Sequence, residues 1–92
     1  MKAIWNGTII ANAPQPVMLD GKPYFPPASI QRRFLKTGSK RTHCAWKGDA
    51  TYFDLEVNGR RLPDSVWSYL EPLPAATNIR GYFAFDNRVI IE

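Results

Sequence analysis

The ten residues from position 43 to position 52, HCAWKGDATY, concentrate the side chains of this chain that could do chemistry. They contain the only histidine and the only cysteine, together with Trp46 beside Lys47 and, at Gly48, a place where backbone can approach closely. Aromatic rings supply shape and stacking, whereas lysine supplies a positive charge. The combination predicts a cleft that binds an apolar or aromatic small molecule, with Lys47 available for an anionic group.

Two later segments, Trp67-Ser68-Tyr69 and Gly81-Tyr82-Phe83, repeat this aromatic chemistry. We expect all three segments to converge on one aromatic cleft. The predicted ligand-binding residues are Trp46, Lys47, Gly48, Tyr52, Trp67, Tyr69, Gly81 and Tyr82. Two simpler interpretations stay open: the rings fill the core of a small domain, and Lys47 is solvated. Because neighbours in a strand point to opposite faces, Trp46 and Lys47 share a site only if Gly48 interrupts the pleat.

An enzymatic alternative uses Cys44 as a reactive thiol. Its neighbour His43 is poorly placed to activate it, because adjacent strand residues diverge. A small buried thiol explains Cys44 more simply, which leaves it a weak catalytic candidate. His43, Cys44 and Asp49 have no recognisable metal-ligand spacing. We therefore predict neither a metal site nor a cofactor.

A nucleic-acid-binding alternative comes from a block of basic residues. The net charge is +4, and the block comprises Arg32, Arg33, Lys36, Lys40 and Arg41. Such a cluster can contact phosphates while exposed rings stack on bases. No signature of a known nucleic-acid-binding module accompanies it, and a solvated face is the simpler explanation. Nucleic acid is therefore a possible partner but not the favoured one.

Length and composition limit the class of protein. Ninety-two residues predict a single domain, spanning 1–92, and 45% hydrophobic residues are typical of a globular chain. One cysteine excludes an internal disulfide and favours a reducing compartment. The sequence shows neither a signal-peptide pattern nor an apolar run long enough for a membrane span. We expect a cytoplasmic protein without membrane contact; its oligomeric state is not indicated.

Alternating apolar residues and turn pairs predict a mainly β domain of about seven short strands. Asn6-Gly7 indicates either a hairpin or a bulge within one strand, and Asp20-Gly21 and Asn58-Gly59 indicate hairpins. Asp86-Asn87 suggests a closing hairpin between Gly81–Phe85 and Arg88–Ile91. The other predicted strands are Ala3–Trp5, Thr8–Ala11, Val17–Leu19, Pro23–Phe25, Thr42–Trp46, Thr51–Val57, Arg60–Leu62 and Val66–Leu70, with a turn or bulge at Gly48-Asp49.

One short helix is expected over Pro27–Lys36. Pro27 suits a first helical position, and Ile30 and Phe34 lie four residues apart on one face. Gly38 follows as a possible left-handed cap. A helix of two to three turns would depend on packing against the sheet.

Several of these segments together resemble a known family. They are Tyr24-Phe25-Pro26, Thr42-x-Cys44-x-Trp46-Lys47-Gly48-x-Ala50-x-Tyr52, Trp67-x-Tyr69 and Gly81-Tyr82-x-Ala84-Phe85. In this combination the chain resembles domain-of-unknown-function family 427. The resemblance implies a small antiparallel β-tent-like fold, in which sheets meet at an angle around a cleft, but no reaction. Many proteins of that architecture hold a zinc with paired Cys-x-x-Cys motifs, which one cysteine cannot build.

Overall fold

The computed structural model describes all 92 residues, and more than half of them lie in nine strands. These are β1 Lys2–Trp5, β2 Thr8–Asn12, β3 Val17–Leu19, β4 Lys22–Tyr24, β5 Leu35–Cys44, β6 Gly48–Val57, β7 Arg60–Ser68, β8 Phe83–Phe85 and β9 Ile90–Ile91. They form three antiparallel sheets, with the orders β2-β1-β9, β3-β4 and β5-β6-β7-β8. The prediction of a small, mainly antiparallel β structure is confirmed, with nine strands rather than about seven.

Three tight hairpins are built on the turn pairs that the sequence indicated. In Asn6-Gly7 the φ angles are 51° and 70°, in Asp20-Gly21 they are 51° and 75°, and in Asn58-Gly59 they are 50° and 79°. Positive φ at both central residues defines the turn whose twist suits a two-residue hairpin, and Asn, Asp and Gly adopt it at low cost. The hairpin interpretation of Asn6-Gly7 is therefore correct, and the bulge interpretation is wrong.

The predicted helix over Pro27–Lys36 is wrong. The chain makes two single 3-10 turns, Pro27–Ser29 and Arg32–Phe34, and then enters β5. Between the turns, Ile30 is extended and Gln31 N–H donates to the Ile10 carbonyl at 2.9 Å. This non-local hydrogen bond to β2 outweighs a helix too short to be stable alone. No helix in the structure is long and apolar enough to cross a membrane.

The predicted closing hairpin is also wrong, although its turn exists. Asp86 accepts a hydrogen bond from the Arg88 N–H at 2.9 Å, but the strands on either side separate. β8 pairs with β7, whereas β9 pairs with β1 in the N-terminal sheet. The final strand thus completes a sheet that would otherwise have only two strands, which is marginal in water.

The four-stranded sheet has an apolar cluster on each face. Because side chains alternate along a strand, Phe53, Val66 and Phe83 face one side, and their neighbours face the other. The first cluster packs against the N-terminal sheet. The second is covered by the β3–β4 hairpin and the 3-10 segment Pro74–Ile79, and its buried members are Tyr24, Ala50, Tyr69, Ala76, Ile79 and Ala84. The aromatic segments of the sequence lie in this second cluster.

Two bulges bend this sheet, one in β5 opposite Tyr52 and one in β7 opposite Asp54. Both β5 and β7 carry two more residues than the stretch of β6 they oppose. In the bulge of β7, Asp64 accepts N–H groups of Ser39 and Lys40 at 2.9 and 3.2 Å, and its own N–H donates to Asp54 at 2.7 Å. These backbone donors hold the pKa of Asp64 below its usual value. Gly38 lies at the junction, where a Cβ would come within 2.6 Å of both the Tyr52 carbonyl and the Asp64 carboxylate.

We expect Gly38→Ala to lower the free energy of unfolding by about 3 kcal/mol, because the added methyl group must displace backbone in the bulge junction. Gly59→Ala is the matched control, since it has positive φ but open space around it. Its cost should be about 1 kcal/mol, from backbone strain alone. Urea denaturation of both variants measures the difference. Equal losses of unfolding free energy in the two variants would show that the close contacts at Gly38 do not exclude a side chain there.

Candidate functional site

The turn between β5 and β6 contains only Ala45, Trp46 and Lys47. Cys44 pairs with Gly48, so the turn precedes Gly48 instead of including Gly48-Asp49 as the sequence suggested. Gly48 has a φ of 105° and is packed against Leu73, whose N–H donates to the Lys47 carbonyl at 2.9 Å. The turn releases Trp46 and Lys47 from strand alternation. Their side chains therefore lie together, with the ammonium 5.5 Å from the indole centroid.

The Lys47 side chain points inward and is only 10% exposed. Its ammonium lies 5.4 Å from the ring centroid of Tyr69 and 5.9 Å from that of Tyr24, in addition to Trp46. Its ion-pair partner is Asp20 at the tip of the β3–β4 hairpin, with an N–O distance of 2.9 Å. The Asp20 side chain is 60% exposed. We call this arrangement of three rings around one ammonium the Lys47 cage.

The charge in the Lys47 cage is permanent at physiological pH. Burial alone would lower the pKa of Lys47, but the hydrogen bond to Asp20 and the negative charge of that carboxylate raise the pKa above its ordinary value. Burial also raises the pKa of Tyr69, so its hydroxyl stays neutral. Lys47 therefore provides positive charge and hydrogen-bond donors. It does not provide the unprotonated amine that a nucleophile or general base requires.

The remaining aromatic residues adjoin the Lys47 cage. The rings of Tyr52 and Trp67 lie 5.8 Å apart, and the Trp67 indole N–H donates to the Tyr24 hydroxyl at 3.3 Å. Tyr82 packs against the same apolar cluster. Rings from all three aromatic segments thus meet on one face of the sheet. Their predicted role in binding a ligand stays a prediction.

The rings differ in their access to solvent. Tyr24 and Tyr69 are buried, at 2% and 5% exposure, and form the floor. Tyr52, Trp67 and Tyr82 are half-buried, whereas Trp46 is 40% exposed at the rim. The cluster is therefore partly core and partly surface, and its rings do not enclose a cavity. The space beside the two predicted glycines is taken by the chain: Leu73 packs on Gly48, and Pro27 on Gly81.

Sequence reasoning missed two residues of this site. Tyr24 was noted only as part of the segment Tyr24-Phe25-Pro26, and Asp20 only as a turn residue. A tyrosine three residues after a predicted turn could have been assigned to the aromatic group. No local signal indicates that Asp20 pairs with a lysine 27 positions away.

A surface depression of about 320 Å³ adjoins the β5–β6 turn, where the Glu71 carbonyl lies close to Gly48. It is lined by Asp49, Thr51, Leu70 and Glu71, and by none of the aromatic residues. With one apolar side chain it offers little of the apolar contact that small-molecule sites normally provide. The aromatic cluster is the better candidate.

A family model described as "Domain of unknown function (DUF427)" matches residues 1–91. The chain belongs to the DUF427 family. The match confirms the resemblance carried by the Trp46-Lys47-Gly48 block and its downstream partners. A comparison with curated proteins found no match.

In this DUF427 chain, Cys44 is half-buried beside the Lys47 cage, and His43 does not contact its thiol, as the divergence of adjacent strand residues predicted. His43 forms an exposed pair with Asp49 at 2.7 Å instead. The N–H groups of Trp46 and Lys47, with the charge of Lys47, lower the pKa of the Cys44 thiol. The structure contains no group of three or more potential metal-ligating side chains.

The basic block is divided by the fold. Lys40 lies over the Tyr52 ring at 5.0 Å, at the margin of the aromatic cluster. Arg32 lies over Phe83, and Arg33 over Phe34. Lys36 and Arg41 are exposed on β5, an edge strand, where charged side chains prevent pairing with other chains. Only one of the five residues therefore contacts a ring of the candidate site.

We expect Cys44 to react with iodoacetamide at lower pH than a free thiol, because the thiolate is the reactive form and its pKa is lowered. In Lys47→Met the charge is lost while the two N–H donors remain, so the reaction profile should move to higher pH. Mass spectrometry of the alkylated chain between pH 6 and 10 would measure this shift. The reference is a free cysteine, whose pKa is about 8.5. An unchanged profile would show that the ammonium does not act on Cys44.

Proposed function

We propose that this DUF427 domain binds a small molecule with a flat apolar or aromatic group at the Lys47 cage. The observation that carries the proposal is one buried ammonium 5.4 to 5.9 Å from three rings, of which one is exposed to solvent. The ligand's ring would stack on Trp46, and its polar group would reach Lys47.

The arrangement of Trp46 favours binding over a purely structural role. A ring that only filled the core would be buried like Tyr24 and Tyr69, whereas Trp46 is held at a turn with much of its surface in water. Leu73, also 40% exposed, lies beside the same turn. An exposed aromatic ring and an exposed leucine next to a buried charge combine apolar contact with a polar anchor, as ligand sites do.

The two alternative functions have less support. A nucleic-acid surface needs several cations along a path with accessible rings, and only Lys40 of the basic block lies over the aromatic cluster. The pKa of Cys44 is lowered, but the one imidazole that could exchange protons with a substrate, His43, is paired with Asp49 and not with the thiol. Binding of a small molecule requires only the rings and the ammonium of the Lys47 cage, without further cations or a catalytic partner.

Indole is a suitable neutral probe for the ring-binding part of this site. In a two-dimensional ¹H–¹⁵N titration, it should shift the Trp46 indole N–H signal. Trp46→Ala should weaken indole binding at least about tenfold, the equivalent of about 1.4 kcal/mol. Because Trp46 is exposed, the variant should lose no more than about 1 kcal/mol of stability.

Leu70→Ala is the matched control for this experiment. Leu70 is also exposed, but it lines the depression with Asp49, and none of the aromatic residues lines that depression. The proposal requires Leu70→Ala to bind indole like the parent protein. Loss of binding in Leu70→Ala, with retention in Trp46→Ala, would assign the site to the depression and refute the proposal.

A further inference from the structure

The Lys47 cage is already filled by a cation of the same chain. Aromatic rings around an ammonium are an arrangement that proteins use to bind cationic ligands, because ring faces are electronegative. Here the rings of Tyr24, Trp46 and Tyr69 surround the Lys47 ammonium itself. A second cation is therefore repelled. What the site offers to a ligand is positive charge, so the complementary ligand is an anion.

One anion already occupies this position. Asp20 is the one carboxylate within ion-pair distance of Lys47, and the two members of the pair differ in exposure. Lys47 is buried among rings and held by its own backbone carbonyl, which accepts the Leu73 N–H. Asp20 stands at a hairpin tip with 60% of its side chain in water. The carboxylate can turn outward into solvent, whereas the ammonium cannot leave.

The partner that fits best is a single carboxylate. Lysine acts as a compact point charge, and only one ammonium is present in the Lys47 cage. A phosphate group normally requires several donors, such as backbone N–H groups or a guanidinium fork. Asp20 itself shows that a carboxylate fits, with an oxygen 2.9 Å from the lysine nitrogen. The adjacent Trp46 ring then receives a flat apolar group close to that carboxylate.

We infer that the ligand is a carboxylate attached to a flat apolar ring, and that Asp20 occupies the carboxylate position until the ligand displaces it. This inference rests on the proposed function and names the ligand class of the same site. Asp20 acts as an internal competitor. It keeps the buried ammonium paired in the free protein and lowers the affinity for anions that bind weakly.

The test compares indole-3-acetate with its neutral analogue indole-3-acetamide. The parent protein should bind the acid more tightly than the amide. Asp20→Asn should bind the acid about tenfold more tightly, the equivalent of about 1.4 kcal/mol, because the competitor is gone. Affinity for the amide should change less than about twofold, which is within about 0.4 kcal/mol. Asn-Gly favours the same turn as Asp-Gly, so the hairpin should be retained.

Two further variants make the result specific. Asp49→Asn changes the net charge equally at another exposed aspartate, and it should leave both affinities unchanged. Lys47→Met keeps an unbranched side chain among the rings and should abolish the preference for the acid. If Lys47→Met does not fold, the Asp20→Asn and Asp49→Asn pair still decides the question. Isothermal titration calorimetry gives the affinities.

The outcomes separate this inference from the proposed function. Equal affinities for acid and amide, or an effect of Asp49→Asn as large as that of Asp20→Asn, would overturn the exchange with Asp20. Binding of the amide that is lost in Trp46→Ala would in that case still support the ring site. If the parent protein and Asp20→Asn bind neither probe, both the inference and the proposed function are refuted for this ligand class.

Discussion

The buried ammonium of Lys47 is the interaction on which the arrangement of the candidate site depends. Removing a charge from water is costly unless the charge is paired and hydrogen-bonded. Lys47 meets this requirement through Asp20 and through the faces of three rings, and these four partners come from three parts of the chain. The β3–β4 hairpin, the β5–β6 turn and the end of β7 are therefore held in one geometry. Asp20 is also the weakest member of this set, because it is the only one largely in water.

The bend in the four-stranded sheet lies next to the aromatic cluster, because the bulge of β5 is opposite Tyr52. The two bulges are fixed by carboxylate acceptors, with Asp64 joining β7 to β5. On one side of the bend, Leu55 and Val57 belong to the core against the N-terminal sheet. On the other side, Tyr52 and Trp67 form the wall of the aromatic cluster. A rigid sheet with an exposed turn at its end is a common scaffold for binding sites, and the proposed site has this form.

Ring exposure separates residues that the sequence could only treat as one group. Tyr24 and Tyr69 are buried, so their main contribution is to the stability of the core and to the environment of Lys47. Trp46 is exposed because it lies in a three-residue turn, and Tyr52 and Trp67 are intermediate because they belong to a sheet face that is only partly covered. Tyr and Trp favour partly exposed positions, because each combines an apolar ring with a polar group, but only packing decides how much of each ring is exposed to solvent.

Local chemistry was sufficient to predict the mainly β structure, the hairpins at Asp20-Gly21 and Asn58-Gly59, and the family, whereas at Asn6-Gly7 it left a hairpin and a bulge open. Those features depend on backbone preferences of neighbouring residues and on a motif that can be read directly. Tertiary structure alone decided that Pro27–Lys36 is not a helix, that β9 pairs with β1, and that Lys47 turns inward to Asp20. In each case a hydrogen bond or charge pair between distant residues outweighs a weak local preference. The strength of such an interaction depends on how deeply it is buried, and burial is decided by the packing of the whole chain.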